Sequence, residues 1–230
     1  MLLEKRVDGL IVASAGGDSG LAQGLAGVRT PMVIVDRSLE GVDADLVRID
    51  HEYGAYLATR HLLELGHRDI ATISGPATTS VAQLRLAGFC RALSDAGLDV
   101  PAERMLESDF TSTGGYNAAA ILLERNPPSA IFAANDMIGI GVLRAAAERN
   151  IRVPTQLSVI GFDDIQMSRY IYPALTTVGQ SILQLGEMAA EVLLRRIATP
   201  DLATRQRIVT PSIVMRESTA PLTGLFAQFR

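Results

Sequence analysis

The sequence has no tryptophan and only 5% aromatic residues, so aliphatic side chains and alanine must fill its core. A single cysteine, Cys90, excludes an internal disulfide framework and is typical of proteins in a reducing compartment. Excess positive charge is also missing, since the formal net charge is −4. A domain that binds duplex DNA usually has a basic face, so we do not expect this chain to contact nucleic acid itself.

Long apolar segments are absent as well. No apolar run approaches the roughly 20 residues that cross a bilayer. Residues 1–6 lack the apolar stretch and small-residue cleavage site of a signal peptide. We therefore expect a cytoplasmic protein without a membrane segment.

Signatures of enzymatic chemistry are scarce. No Gly-x-Ser-x-Gly elbow occurs, and the glycine-rich segment 16–20 is not followed by the Lys-Ser/Thr of a phosphate loop. Gly139 and Gly141 fall inside a predicted helix rather than before it, which disfavours a dinucleotide loop. The histidines do not have the spacing of a metal site. We expect no enzymatic activity, no cofactor and no metal.

Apolar residues make up 48% of the chain, which is enough for a sizeable core. Short β-branched runs alternate with helical segments, and this alternation predicts an α/β fold with parallel sheets flanked by helices. About three strands precede His51 and about five follow Gly66, which indicates two lobes rather than one sheet. The clearest predicted strands are 7–13, 31–35, 46–49, 69–74, 130–134, 158–161 and 175–178.

The first of these lobes is short of strands. A doubly wound parallel sheet needs both faces and both edges covered, and so few Val/Ile-rich strands cannot supply that cover. We therefore expect further sequence before Met1. At the other end of the chain, we expect the segment 224–230 to be frayed.

Four predicted strand ends carry residues suited to a polyhydroxylated ligand, namely Asp36 with Arg37, Phe110, Asn135 and Asp163. Ligands of open parallel sheets bind at the carboxyl ends of the strands. A carboxylate can accept hydrogen bonds from two neighbouring hydroxyls, an amide both donates and accepts, and an arginine adds fixed donors. An aromatic face suits the C–H face of a sugar ring. Such a set of residues predicts that the protein binds a polyhydroxylated ligand and does not catalyse a reaction on it.

Each of these positions also has a structural interpretation. Asn135 and Asp136 lie just before a predicted helix, so one of them is expected to be its N-cap, with Asp136 favoured. Asp163 and Asp164 suit a turn after a strand. Phe110 suits the core as well as it suits a ligand. These alternatives remain open at the level of sequence.

Arg85 is more informative because its surroundings are apolar. It lies in the segment 84–89, a mostly apolar helical surface on which a buried arginine needs a partner. That partner is either a neighbouring carboxylate or a ligand.

Several longer motifs together resemble the effector-binding core of the LacI/GalR family of bacterial transcription regulators. The motifs occur in family order over nearly the whole chain, at 65–71, 85–89, 133–141, 153–164, 172–180 and 216–218. The longest of them includes Leu157-Ser158-Val159-Ile160-Gly161-Phe162-Asp163-Asp164.

The resemblance implies a periplasmic-binding-protein-like fold, in which three crossovers join two lobes and the effector binds in the cleft. It implies an N-terminal lobe, partial here, formed by 1–49 and 181–209. The C-terminal lobe is implied to comprise 50–180 and 210–223, followed by the tail 224–230. The helix-turn-helix domain of the family is absent from this sequence.

The resemblance also implies functional residues and partners. Its ligand-binding positions correspond to Asp36, Arg37, Arg85, Phe110, Asn135, Asp163 and Gln180. This set is similar to that of ribose-binding relatives of the fold, so a monosaccharide, with a pentose as first guess, is the expected effector. A homodimer that reaches operator DNA through the N-terminal domain is the expected assembly, with 170–173 as a contact. The alternative is a sugar-binding component of a transporter.

Overall fold

The computed structural model describes residues 7–13, 19–36, 39 and 41–222. By its internal contacts the chain divides into two compact units. Unit 1 comprises Met1–Asp50 and Ser181–Thr210, and unit 2 comprises His51–Gln180 and Pro211–Arg230. The predicted frayed tail, 224–230, lies outside the described residues.

Helices and strands alternate along most of the chain. The helices are α1 (Ser19–Leu25), α2 (His51–Glu64), α3 (Ser80–Asp95), α4 (Ser112–Leu122), α5 (Asp136–Glu148) and α6 (Ile182–Ala198). The strands are β1 (Leu10–Ala13), β2 (Met32–Val35), β3 (Asp45–Ile49), β4 (Ile70–Ser74), β5 (Met105–Glu107), β6 (Ala130–Ala133), β7 (Ser158–Asp163), β8 (Thr176–Gly179), β9 (Gln206–Val209) and β10 (Ser212–Val214). The predicted α/β class with parallel sheets is therefore confirmed.

Unit 1 contains a parallel sheet in the order β1-β2-β3-β9. Strand β2 is buried along its whole length, because its residues alternate between two small cores. Val33 and Val35 pack towards α6, and Met32 and Ile34 pack on the other face. A strand that is buried on both faces reads as a continuous apolar run, as β2 does.

Unit 2 contains a six-stranded sheet in the order β10-β8-β7-β6-β4-β5. Only β10 runs antiparallel among the strands described in this sheet. Helices α4 and α5 cover one core cluster and helices α2 and α3 cover the other. Each helix pair approaches closely at a glycine, because a Cβ atom on Gly88 or Gly141 would lie 2.0 or 2.2 Å from a backbone oxygen of the neighbouring helix.

Side-chain caps fix where three helices of unit 2 begin. Thr79, Thr111 and Asn135 each accept a hydrogen bond from the backbone amide three residues further on, which satisfies one of the free amides of a helix N-terminus. The preference for Asp136 as a cap was wrong, because Asn135 takes that position and Asp136 is the first helical residue. Helix α2 ends before Gly66, whose φ of 91° suits glycine.

Within the described residues, no helix has both the length and the apolar character needed to span a membrane.

Candidate ligand-binding site

Four of the predicted ligand-binding residues follow the carboxyl ends of strands in the sheet of unit 2. Phe110 lies three residues after β5, Asn135 follows β6, Asp163 ends β7 and Gln180 follows β8. These strands run in parallel, so their carboxyl ends share one edge of the sheet. The sheet topology therefore gathers residues that lie up to 70 positions apart in the sequence.

Asp163 and Gln180 lie side by side because β7 and β8 are paired. The register places Asp163 opposite Gly179, directly before Gln180. The side-chain amide of Gln180 donates to Asp163 Oδ1 across 3.4 Å. The Asp163 side chain keeps 23% of its surface exposed. Its carboxylate is thus held in place from one side and remains accessible from another.

Arg85, on α3, forms an ion pair with this carboxylate. Its Nη2 donates to Asp163 Oδ1 at 2.8 Å, and its Nη1 donates to the carbonyl of Ala134 at 2.5 Å. The guanidinium carbon also lies 3.7 Å from the centre of the Phe162 ring, a cation–π arrangement. The residue is 4% exposed. Of the two partners that the sequence left open for Arg85, the structure contains a carboxylate.

Asn135 and Phe110 form a second linked pair at the same edge. Besides capping α5, Asn135 donates from its side-chain amide to the carbonyl of Phe110 at 3.1 Å. Phe110 has a φ of 64°, a conformation that is uncommon for a bulky residue. Both roles proposed for Asn135 are compatible, because capping uses its oxygen and the Phe110 carbonyl uses only one of the two N–H groups of its amide.

The ring of Phe110 is positioned by Gly75, which follows β4. A Cβ atom on Gly75 would lie 2.0 Å from the ring, so only glycine allows the ring to rest there. Phe110 also packs against the core cluster under α4 and α5 while staying half-buried. The structure thus gives Phe110 a packing role and leaves part of it accessible.

Asp36 belongs to unit 1. It follows β2, has a φ of 76° and donates its backbone amide to the carbonyl of Val47 at 2.8 Å. It is half-buried. Arg37 lies outside the described residues.

The side chains gathered in unit 2 can recognise a hydroxyl-rich molecule. Asp163 offers a carboxylate, Gln180 and Asn135 offer amides, and Phe110 offers an aromatic face. The Nε of Arg85 and the Oε1 of Gln180 are buried and have no hydrogen-bond partner within the described part of the chain. Among the described residues, no group of three or more His, Cys, Asp or Glu side chains is arranged to hold a metal ion.

Comparison with known proteins shows which family this chain resembles. Residues 59–219 match a periplasmic binding protein-like domain. The chain is 36% identical over 219 residues to the ribose operon repressor of Haemophilus influenzae, covering 94% of this chain and 65% of that protein. It is 38% identical over 233 residues to the PurR HTH-type transcriptional repressor of Edwardsiella ictaluri, covering 100% of this chain and 68% of that protein.

Solved structures agree. A LacI family transcriptional regulator from Enterococcus faecium with bound ribose superposes with a TM-score of 0.83 at 34% identity, covering 96% of this chain and 83% of that one. The transcriptional regulator CelR in complex with cellobiose superposes with a TM-score of 0.85 at 34% identity, covering 94% and 67%. The chain belongs to the LacI family of transcriptional regulators.

These matches confirm both the LacI family and the fold that the sequence motifs predicted. The chain is the effector-binding region of such a regulator, with a periplasmic-binding-protein-like fold. The relatives found are named as regulators and repressors, which supports this interpretation over the transporter alternative. The chain spans 65% of the length of the ribose operon repressor.

Two residues beside these candidate ligand-binding residues were missed by the sequence reasoning. His51 is 1% exposed, and its Nδ1 lies 3.3 Å from Nη2 of Arg85. Asp136 is fully buried under the same edge of the sheet. The position of His51 two residues after the end of β3 is a weak signal, and Asp136 was interpreted only as a helix cap.

Asp136 is an unusual carboxyl group. Its Oδ1 accepts from the Thr177 hydroxyl at 2.5 Å, and its Oδ2 accepts from the backbone amide of Ile165 at 2.9 Å. Burial raises the pKa of Asp136 to about 7, because its two hydrogen bonds only partly offset the loss of solvent and the neighbouring Asp163 and Asp164 add to the rise.

Asp164 follows Asp163 and points to other partners. Its Oδ1 accepts from Arg216, and its Oδ2 accepts from Arg169 at 3.1 Å. Asp164 has a φ of 53°, which suits the turn position expected from the sequence. Adjacent carboxylates therefore have different roles, since Asp163 contacts Arg85 and Asp164 anchors the turn.

Proposed function

We propose that this chain binds a monosaccharide, most simply a pentose, as the effector of a LacI-family regulator. The observation that carries the proposal is the linked group of Arg85, Asp163 and Gln180 beside Asn135 and Phe110. Two LacI-family structures that resemble this chain, from Enterococcus faecium and Enterococcus faecalis, contain bound ribose. The ribose operon repressor is also among its relatives.

Each side chain has a distinct role in this proposal. Asp163 accepts hydrogen bonds from two neighbouring sugar hydroxyls, and Gln180 donates and accepts beside it. Arg85 holds the Asp163 carboxylate in place through its Nη2. Asn135 contacts another hydroxyl, and the half-exposed face of Phe110 packs on the C–H face of the ring. Asp36 and Arg37 remain predicted ligand contacts.

Sugar binding would regulate transcription by favouring one conformation of the protein over another. A ligand shifts such an equilibrium only by the difference in its affinity for the two states. A coupling of about 1–3 kcal/mol between sugar and operator binding is enough for a useful switch. We propose that operator DNA is contacted outside this chain, that the regulator acts in the cytoplasm, and that it catalyses no reaction.

We further propose that the regulator is a homodimer and that part of the contact lies in unit 2. The segment after β7 exposes Met167, Tyr170 and Tyr172 at 56%, 76% and 93% of their surface. Large apolar and aromatic residues that are clustered and exposed are typical of protein interfaces. Sedimentation of the intact protein and of a Tyr170→Ser, Tyr172→Ser variant tests this. A dimer that is unchanged in the variant would exclude this contact.

The ligand proposal is tested by a thermal-shift screen of the intact protein, followed by calorimetry on any hit. The panel contains D-ribose, D-xylose, D-glucose, cellobiose and hypoxanthine. We expect the pentoses to raise Tm most and D-ribose to bind measurably. A protein that responds to no sugar contradicts the proposal.

A purine effector is the second candidate, because PurR repressors match the whole chain at 38–39% identity. Hypoxanthine is included in the panel to distinguish a purine effector from a sugar effector. A response to hypoxanthine without a response to any sugar would replace the sugar proposal with this one.

A further inference from the structure

Residues 163–164 form a bend at the end of β7, and both have positive φ angles. Asp163 and Asp164 have φ angles of 111° and 53°. For residues other than glycine, backbone in this region costs free energy and persists only where the surroundings hold it. Arg85 holds the first side chain, and Arg216 and Arg169 hold the second. Beyond the bend, the carbonyl of Ile165 accepts from the backbone amide and the hydroxyl of Ser168, whereas the amide of Ile165 needs a partner from another element.

Asp136 supplies that backbone support. Its Oδ2 accepts from the amide of Ile165, the first residue after the bend. Its Oδ1 accepts from the hydroxyl of Thr177, on the adjacent strand β8. The carboxyl group therefore ties the end of the bend to a neighbouring strand and to the N-terminus of α5.

The sheet makes room for this contact at Gly161. A Cβ atom on Gly161 would lie 2.3 Å from Oδ1 of Asp136. Gly161 precedes Asp163 by two residues on β7 and pairs with Thr177. The Asp136 carboxyl thus packs against β7, the strand that ends in Asp163, the proposed sugar-binding carboxylate.

Asp136 forms no ion pair with any of the described residues to offset its burial. It is fully buried, and no arginine or lysine of the described chain forms an ion pair with it. The nearby arginines pair with Asp163 and Asp164 instead. A buried carboxyl without a cation stabilises a fold poorly, so its two hydrogen bonds are its evident contribution.

We propose that Asp136 is a positioning residue that fixes the bend after β7 and thereby aims the Asp163 carboxylate at the sugar. This inference rests on the proposed function, because it assigns Asp136 a role in the affinity of that site. Asp136 touches no ligand in this proposal and acts only through the backbone of residues 163–165.

The test compares three variants of the intact protein by calorimetry with D-ribose, or with the sugar that the thermal-shift panel selects. Asp136→Ala removes both hydrogen bonds, so we expect sugar affinity at least about tenfold weaker. Asp136→Asn can accept from Ile165 and donate to Thr177, so we expect affinity within about threefold of wild type. Val142→Ala, on the same helix and fully buried, is the control for general loss of core stability.

The outcomes separate this inference from the function on which it rests. If wild-type protein binds no sugar in the panel, the proposed function fails and the inference fails with it. If wild type binds and the Asp136→Ala and Val142→Ala variants lose affinity equally, general destabilisation explains the effect and the inference is wrong. The inference is also wrong if Asp136→Asn binds the sugar as weakly as Asp136→Ala does. The asparagine keeps both hydrogen bonds, so those bonds would then not be what sets the affinity.

Discussion

Replacing Asp136 with asparagine should make the fold more stable, by an amount that grows as the pH rises. The carboxyl is buried and accepts two hydrogen bonds, and no arginine or lysine of the described residues forms an ion pair with it. Asparagine can occupy the same space, accept from Ile165 and donate to Thr177. It carries no charge at any pH. The variant therefore removes the cost of burying a carboxylate and keeps the contacts.

The magnitude follows from the pKa of Asp136, which burial raises from 3.8 to about 7. Below about pH 4 the carboxyl is neutral in the folded and the unfolded chain, so it has little effect on stability. As the pH rises, the unfolded chain releases this proton first, and the folded state loses stability until the pH passes the folded pKa. Above that pH the loss is constant at about 4 kcal/mol.

Urea unfolding of both proteins at pH values from 5 to 8 measures this effect. The free energy of unfolding of the Asp136→Asn variant should exceed that of wild type by a margin that grows by about 2–3 kcal/mol over this range. Asp99→Asn, at an exposed position, is the matched control and should change the free energy of unfolding little. A margin for Asp136→Asn that does not change with pH would refute the reasoning, because Asp136 would then ionise like an ordinary surface carboxyl.

Three further predictions concern the proposed site and its support. Asp163→Ala should abolish the calorimetric signal with D-ribose and leave the circular dichroism spectrum unchanged, since the variant lacks the acceptor while Arg85 keeps its contact with the carbonyl of Ala134. Phe110→Ala should weaken sugar binding at least tenfold, or about 1.4 kcal/mol, in the same assay. Gly161→Ala should lower the free energy of unfolding by about 1–3 kcal/mol in urea, because its new methyl group would crowd Asp136.

Each of these has an outcome that contradicts it. Wild-type affinity in the Asp163→Ala variant would remove that carboxylate from the site, and wild-type affinity in Phe110→Ala would leave the ring with packing alone. For Gly161→Ala the matched control is Gly186→Ala on α6, where a Cβ atom meets nothing within 4 Å. That change should raise stability by about 0.5–1 kcal/mol, and equal effects at the two positions would exclude crowding.

Local sequence patterns were sufficient for the architecture of this chain. The β-branched runs, most of them followed by a helical segment, predicted parallel sheets, and the residues after several of those runs became the candidate site. The helix end at Gly66 was also readable, because a left-handed residue after a helix favours glycine. These features depend on neighbours a few residues apart, so the sequence expresses them directly.

Tertiary structure decided what the polar residues do. Arg85 required a partner, but its partner Asp163 lies 78 residues away and is brought close only by packing of α3 against the sheet. The sequence favoured Asp136 as the cap of α5, whereas the fold gives that position to Asn135 and places the Asp136 carboxyl against Thr177 of β8. Burial, and with it the pKa of a carboxyl, depends on every element that surrounds the group. The chain alone therefore determined which elements form and which residues end them, whereas the strand register determined which of those residues meet.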